Sequence, residues 1–317
     1  MMRALVLNGG LRLETSIDEP QPQDDQALLK IRRAGICNTD LELTRGYKHF
    51  VGILGHEFVA EVVHGPAHLI AKRVVGEINV GCGACDFCTR GIPSQCRQRR
   101  AIGIQGHPGA FADYLALPTS NLHIVPDEVS DDDAVFVEPL AAALNILDRV
   151  QISPRDQIIV IGVGKLGMLC AQVLRLTGAH VVGVVRYNKQ AQLLNQWGIA
   201  AAHLEDLPKH RAQVVVDCTG LAQGFADALE LIEPRGTIVL KSTYEELPQA
   251  NLSQIAVNEI RVVGSRCGPF DAALRLLAMG LVDVKSLIEA RYPLDQALQA
   301  IEHAARKGVL KVLLEME

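Results

Sequence analysis

The hydrophobic pattern divides the chain near its middle. Up to about residue 140, apolar residues come in short runs separated by turn formers: Ala4-Leu5-Val6-Leu7, Leu28-Leu29-Lys30-Ile31, Phe58 to Val63 and Val74 to Val80. Such runs predict strands, and the Pro-, Gln- and Asp-rich segment from Glu19 to Gln26 predicts a loop. The pattern predicts no amphipathic helix before Asp131. There, Asp131-Asp132-Asp133 precedes the apolar, Ala-rich stretch Ala134 to Val150, a helix with acid where the macrodipole favours it. Pro139 is expected to separate a short first helix from a second.

From Gln157 onward, strands and helices alternate. Strands are predicted at Ile158–Ile161, His180–Val185, Val214–Cys218, Thr237–Leu240 and Arg261–Val263, with helices at Lys189–Trp197 and Phe225–Leu231. Alternation of this kind builds a parallel sheet covered by helices on both faces. Two more helical runs, Asp271–Met279 and Leu294–Lys307, precede a last apolar strand, Val309–Leu314.

The sharpest local feature lies at the first of these strand-to-helix junctions. Gly162-Val163-Gly164-Lys165-Leu166-Gly167 follows the run Ile158-Ile159-Val160-Ile161 and opens into a helical stretch. In this G-x-G-x-x-G, Gly162 allows the turn, Gly164 lets a pyrophosphate approach the backbone, and Gly167 lets helix pack against strand. Phosphate would rest on N–H groups at the helix start, where Lys165 and Leu166 lie. An NAD site usually carries an acid at the end of the second strand. Val181 to Lys189 has none, and offers Arg186 with Lys189 nearby, a better match to a 2′-phosphate. The reading therefore favours NADP over NAD. Thr219, in Asp217-Cys218-Thr219-Gly220, ends a later strand and is a further candidate cofactor contact.

Bulk properties narrow the class. A length of 317 residues suits about two domains, and 49% hydrophobic residues give each a sizeable core. A net charge of −5 offers no basic field to nucleic acid. No apolar run reaches membrane-spanning length, and the N-terminus lacks a secretory pattern, so a cytoplasmic setting is expected. There, eight cysteines are expected as ligands or buried thiols.

Four of them, Cys82, Cys85, Cys88 and Cys96, form C-x2-C-x2-C-x7-C within one glycine-containing loop. Four thiolates on a tight loop match a closed, structural zinc site, with an iron–sulfur cluster or two disulfides as rivals. A second constellation is Cys37 in Gly35-Ile36-Cys37-Asn38-Thr39-Asp40, His56-Glu57, and Glu138 before Pro139-Leu140. One thiolate, one imidazole and carboxylates suit a catalytic zinc with an open position. Cys170, Cys218 and Cys267 are expected to be buried thiols without a role. His107 and His123 are read as structural or exposed, and Arg266 and Lys311 as surface cations in preference to phosphate contacts.

Taken in order, these motifs resemble the zinc-containing medium-chain dehydrogenase/reductase family of alcohol, polyol and threonine dehydrogenase type. The resemblance implies an α/β protein, with a GroES-like β-rich catalytic domain at 1–141 and 268–317 and an inserted Rossmann domain at 142–267. It implies one catalytic and one structural zinc. Cys37 and His56 become ligands, with Glu57 and Glu138 as alternatives for the third or exchanging ligand. Asp40 becomes the carboxylate orienting His56, and Thr39 the hydroxyl that takes the substrate proton before hydride passes to the nicotinamide. The substrate is an alcohol or its carbonyl, and relatives are dimers or tetramers. Many relatives carry a histidine where this chain has Glu42, which either replaces the outer relay or is solvated. Tyr47, His49 and Phe50 are candidates for lining the pocket, or pack in a loop. Threonine- or sugar-type dehydrogenation and a non-catalytic dinucleotide-binding relic are the alternatives.

Overall fold

The computed structural model describes every residue except Glu245 and Glu317. The chain forms two compact units, Met1–Glu138 with Phe270–Glu317, and Pro139–Pro269.

The first unit is built on a seven-stranded sheet. Its order runs Leu122–Ile124, Arg73–Gly76, Glu57–His64, Gln26–Gly35, Lys311–Glu315 and Ile288–Pro293, with Tyr114–Pro118 also pairing with Gln26–Gly35. The final strand of the chain thus lies antiparallel to Gln26–Gly35, which pairs on its other side with Glu57–His64. Leu29, Ile31, Phe58, Ala60, Val74, Leu115 and Leu117 pack with Phe111, Val312 and Leu314 into the unit's main core. Burying a side chain of this size contributes roughly 1.5–3 kcal/mol, which fixes the register of the strands that carry the polar site.

The second unit holds a six-stranded, all-parallel sheet in the order Ala200–Ala202, His180–Val184, Gln157–Ile161, Ala212–Asp217, Ile232–Leu240, Arg261–Gly264. Its central strands are near-continuous apolar runs, as expected where both faces are covered. The β-rich part and the doubly wound parallel part of the α/β expectation are both present. The strand Ala200–Ala202 has too little β-branched or aromatic character to stand out in the sequence.

Three local expectations are corrected. A seven-residue helix, Asn38–Thr44, precedes Asp131. It is too short for a periodic stripe, but Asp40 at its third position accepts a hydrogen bond from the Cys37 N–H (2.8 Å) and closes its first turn. Pro139 does not separate two helices. The break falls earlier, between Asp131–Ala134 and Val137–Arg149, and Pro139 sits in the first turn of the second helix, where a missing N–H costs nothing. The run Leu294–Lys307 is a 3-10 turn, Leu294–Gln296, followed by the helix Ala297–Ala304. No helix among the described residues is long and apolar enough to cross a membrane.

Candidate metal and dinucleotide sites

Cys37 lies just before the Asn38–Thr44 helix, and His56 and Glu57 lie at the start of the Glu57–His64 strand. Strand pairing brings Glu57 opposite Gly35, two residues before Cys37. The ligand atoms of Cys37, His56 and Glu57 lie within 4.8 Å of one another, with His56 and Glu57 buried and Cys37 partly exposed. Glu138 is partly buried in the first turn of Val137–Arg149 and falls outside that set. Thr39 is partly exposed in the first turn after Cys37.

Asp40, fully buried, organises this corner. Its Oδ2 accepts from Cys37 N, its Oδ1 accepts from Gly55 N (3.2 Å), and Oδ1 lies 3.3 Å from His56 Nδ1. The alignment to His56 is poor enough that Nδ1 has no hydrogen-bond partner. The contact is thus electrostatic and falls short of a hydrogen bond. Burial opposes charge on His56, yet Asp40 and then Cys37 hold its pKa well above the ordinary value.

The structure adds a residue that the sequence misplaced. Lys311 is not on the surface. It is 2% exposed, and its ammonium forms a buried ion pair with Glu57 Oε2 and lies 5.5 Å from the centre of the Phe136 ring. Burial would lower its pKa, but Glu57, Cys37 and Asp40 together raise it, so the ammonium stays charged. Gly35 makes room for this arrangement: a Cβ there would stand 2.7 Å from Glu57 Oε2 and 3.3 Å from Lys311 Cδ.

The outer candidates are placed less centrally. Glu42 pairs with Arg45 one turn on (2.8 Å), an ordinary helix-surface pair. Tyr47 and Phe50 pack against the first unit's core, and His49 is exposed.

Cys82, Cys85, Cys88 and Cys96 converge in the same unit, with their sulfurs also within 4.8 Å. Backbone N–H groups of Cys82 and Gln98 donate to Cys96 Sγ, both at 3.3 Å. N–H groups of Arg97 and Cys88 lower the Cys85 thiol to about 6, while burial and neighbouring sulfurs push Cys88 up to about 11. Loop amides aimed at sulfur are what clustered thiolates need, and no disulfide joins any of the eight cysteines. The donor set fits a closed zinc site, and the Cys37, His56 and Glu57 set fits a zinc that keeps a position open.

In the second unit, Gly162 has φ +84°, and a Cβ there would stand 2.9 Å from the backbone of Cys218 and Thr219. A Cβ at Gly167 would collide with the Gly162 carbonyl oxygen, whereas Gly164 faces open space. Two glycines are therefore demanded by the turn itself, and the third leaves its surface clear. Lys165 and Leu166 open the helix Lys165–Arg175. Arg186 and Lys189 are exposed beyond His180–Val184. Gln190, unnoticed in the sequence, ties that exit to the glycine turn: its Oε1 accepts from Arg186 N (2.9 Å) and its Nε2 donates to Val163 O (2.9 Å). Thr219 donates through N and Oγ1 to the buried Asp217, which also accepts from Tyr244 Oη (2.7 Å). The Thr219 hydroxyl is thus engaged within the protein.

His107 is buried, with Nδ1 2.8 Å from Pro108 O. His123 takes the structural of its two expected roles: its Nδ1 meets Asp271 (2.6 Å) and its Nε2 meets Glu77 (3.1 Å).

Comparison with known proteins agrees with this geometry. Residues 23–127 match the alcohol dehydrogenase GroES-like domain, and residues 166–279 match the zinc-binding dehydrogenase domain. The chain belongs to the zinc-containing medium-chain dehydrogenase/reductase family. It is 28% identical to a D-arabitol-phosphate dehydrogenase of Enterococcus avium, over 93% of this chain and 91% of the relative. It is 29% identical to a sorbitol dehydrogenase of Halalkalibacterium halodurans, over 93% of each. A zinc-binding dehydrogenase of Sinorhizobium meliloti 1021 bound to NADP superposes with a TM-score of 0.90 at 29% identity, over 100% of this chain and 99% of the other.

Proposed function

We propose that the protein is a zinc-dependent oxidoreductase that exchanges a hydride between an alcohol of polyol type, or its carbonyl, and a nicotinamide cofactor. The observation that carries this reading is the convergence of Cys37, His56 and Glu57, three donors where a tetrahedral zinc takes four ligands, with Thr39 two residues beyond Cys37. The polyol dehydrogenases among its relatives support the substrate class. A zinc ion held there would supply Lewis acidity toward the substrate oxygen. A bound nicotinamide would accept hydride at carbon.

The chain's own residues do the rest. Asp40 fixes the Cys37 corner and favours positive charge on His56, Lys311 holds Glu57 in place, and Thr39 takes the hydroxyl proton. The unit of Met1–Glu138 and Phe270–Glu317 carries this chemistry, and Pro139–Pro269 carries the dinucleotide. Gly162, Gly164, Lys165, Leu166 and Gly167 receive the pyrophosphate. Arg186, with no acid between Val181 and Lys189, favours the 2′-phosphate of NADP. The four-cysteine loop takes a structural zinc. A cytoplasmic, homo-oligomeric protein belongs to the same reading.

The test is a panel of primary alcohols, polyols, sugars and hydroxy amino acids, read by nicotinamide absorbance with zinc-replete protein. Polyol-dependent reduction with a higher kcat/KM for NADP than for NAD is expected. Absence of turnover with every polyol and both cofactors would refute the reading.

A further inference from the structure

Two cysteines outside both metal sets touch one another at the glycine turn. Cys170, on the helix Lys165–Arg175, is fully buried, and Cys218, directly after the strand Ala212–Asp217, is partly exposed. Their sulfurs lie 3.9 Å apart, with the Cys218 thiol donating to Cys170. Cys218 is also part of the turn's architecture. Its N–H bonds to Ile161 O (2.9 Å), its backbone with that of Thr219 leaves no room for a side chain at Gly162, and its Cβ would be in contact, at 3.5 Å, with a Cβ at Gly167.

We propose that Cys170 and Cys218 are a modification site: a dithiol that a hydroperoxide oxidises reversibly to a disulfide, weakening dinucleotide binding. The Cys218 thiol's donation holds Cys170 below the usual thiol range against the effect of burial, and the Lys241 ammonium acts in the same direction. Lys241 is itself fixed by Ala142 O (2.5 Å) and Ser265 Oγ (3.2 Å), so its charge stays in place. Cys218 is the member that solvent reaches, so its sulfur meets the oxidant. It attacks one oxygen of hydrogen peroxide, the O–O bond breaks, and the departing hydroxide takes the thiol proton to leave as water. The Cys218 sulfenic acid then condenses with the Cys170 thiol 3.9 Å away, forming the S–S bond and releasing a second water. In sum, two thiols and one hydrogen peroxide give one disulfide and two waters, and a dithiol reductant reverses the change.

The mechanical consequence follows from distance. A disulfide brings sulfurs now 3.9 Å apart to about 2.05 Å. The motion draws Cys218 toward the helix at a point where Gly162 and Gly167 are already in close contact with their surroundings. The effect on binding rests on the proposed placement of the pyrophosphate at this turn, while the disulfide itself does not.

The test treats zinc-replete protein with hydrogen peroxide, maps disulfides by peptide mass spectrometry, and measures NADP and NAD binding calorimetrically before and after. Binding by the untreated protein checks the turn assignment separately. A Cys170–Cys218 peptide is expected, with an affinity loss of about tenfold, within the usual range of coupling between sites. Dithiothreitol should restore binding. Cys170→Ala should keep its affinity under the same treatment, although its zinc-loop cysteines meet the same oxidant. Absence of the linked peptide, or an equal affinity loss in Cys170→Ala, would overturn the proposal.

Discussion

At the scale of single residues, Lys311 shows how partnership decides a side chain's role. An ammonium buried alone would give up its proton, but next to Glu57 it remains charged and holds the carboxylate against Cys37 and His56. Removing one member of a buried pair leaves an uncompensated charge, at a cost of about 3–5 kcal/mol. Lys311→Met should therefore lower unfolding stability by about that amount in denaturant titrations. Lys311→Arg should recover most of it, and equal losses in the two variants would contradict a specific pairing. Arg186 makes a separate prediction. Arg186→Ala should lower kcat/KM for NADP and leave that for NAD nearly unchanged, and an undisturbed NADP preference would remove the argument.

The same residues show what the sequence could reveal. The four-cysteine loop and the G-x-G-x-x-G were readable because their constraints are local: two-residue gaps aim sulfurs, and Gly162 and Gly167 mark a backbone that tolerates no Cβ. Lys311 was unreadable because its partner lies 254 positions away, and only the pairing of the last strand with Gln26–Gly35 brings them together. Its position in an apolar strand was the one available signal. The partners of His123 were unreadable for the same reason, since Glu77 and Asp271 lie 46 and 148 positions from it. Glu138 appeared beside the ligands as part of a motif, yet the compact set is Cys37, His56 and Glu57.

At the scale of elements, the turn from Gln157–Ile161 into Lys165–Arg175 separates folding requirements from binding requirements. Gly167 is needed for the helix to meet the strand, because a Cβ would strike the Gly162 carbonyl. Gly164 faces open space. Gly167→Ala should thus lower both Tm and dinucleotide affinity. Gly164→Val should lower affinity strongly with little change in Tm, because its side chain would occupy the clear surface. A large Tm loss in Gly164→Val, or unimpaired binding, would argue against phosphate contact there.

At the scale of the whole molecule, the first unit closes by joining distant segments of the chain. The last strand completes the sheet begun by Gln26–Gly35, and His123 links Leu122–Ile124 to the helix Phe270–Ala278 through Asp271, while stacking on Phe270. Glu77 and then Asp271 raise the His123 pKa against partial burial. A raised pKa means that the protonated form is favoured by folding. Its stabilisation is complete below the unfolded value of about 6.5 and disappears as pH rises through the folded value. His123→Gln should therefore cost more Tm near pH 5.5 than near pH 9, and a pH-independent loss would contradict this account.

The central claim is that Cys37, His56 and Glu57 hold a catalytic metal distinct from the one in the four-cysteine loop. Zinc quantification on the native protein and on Cys37→Ala, alongside turnover with a polyol, tests it most directly. The account predicts two zinc ions per native chain, one in the variant, and near-complete loss of turnover with the fold intact by circular dichroism. A Cys37→Ala protein that keeps full turnover after losing that metal would contradict it.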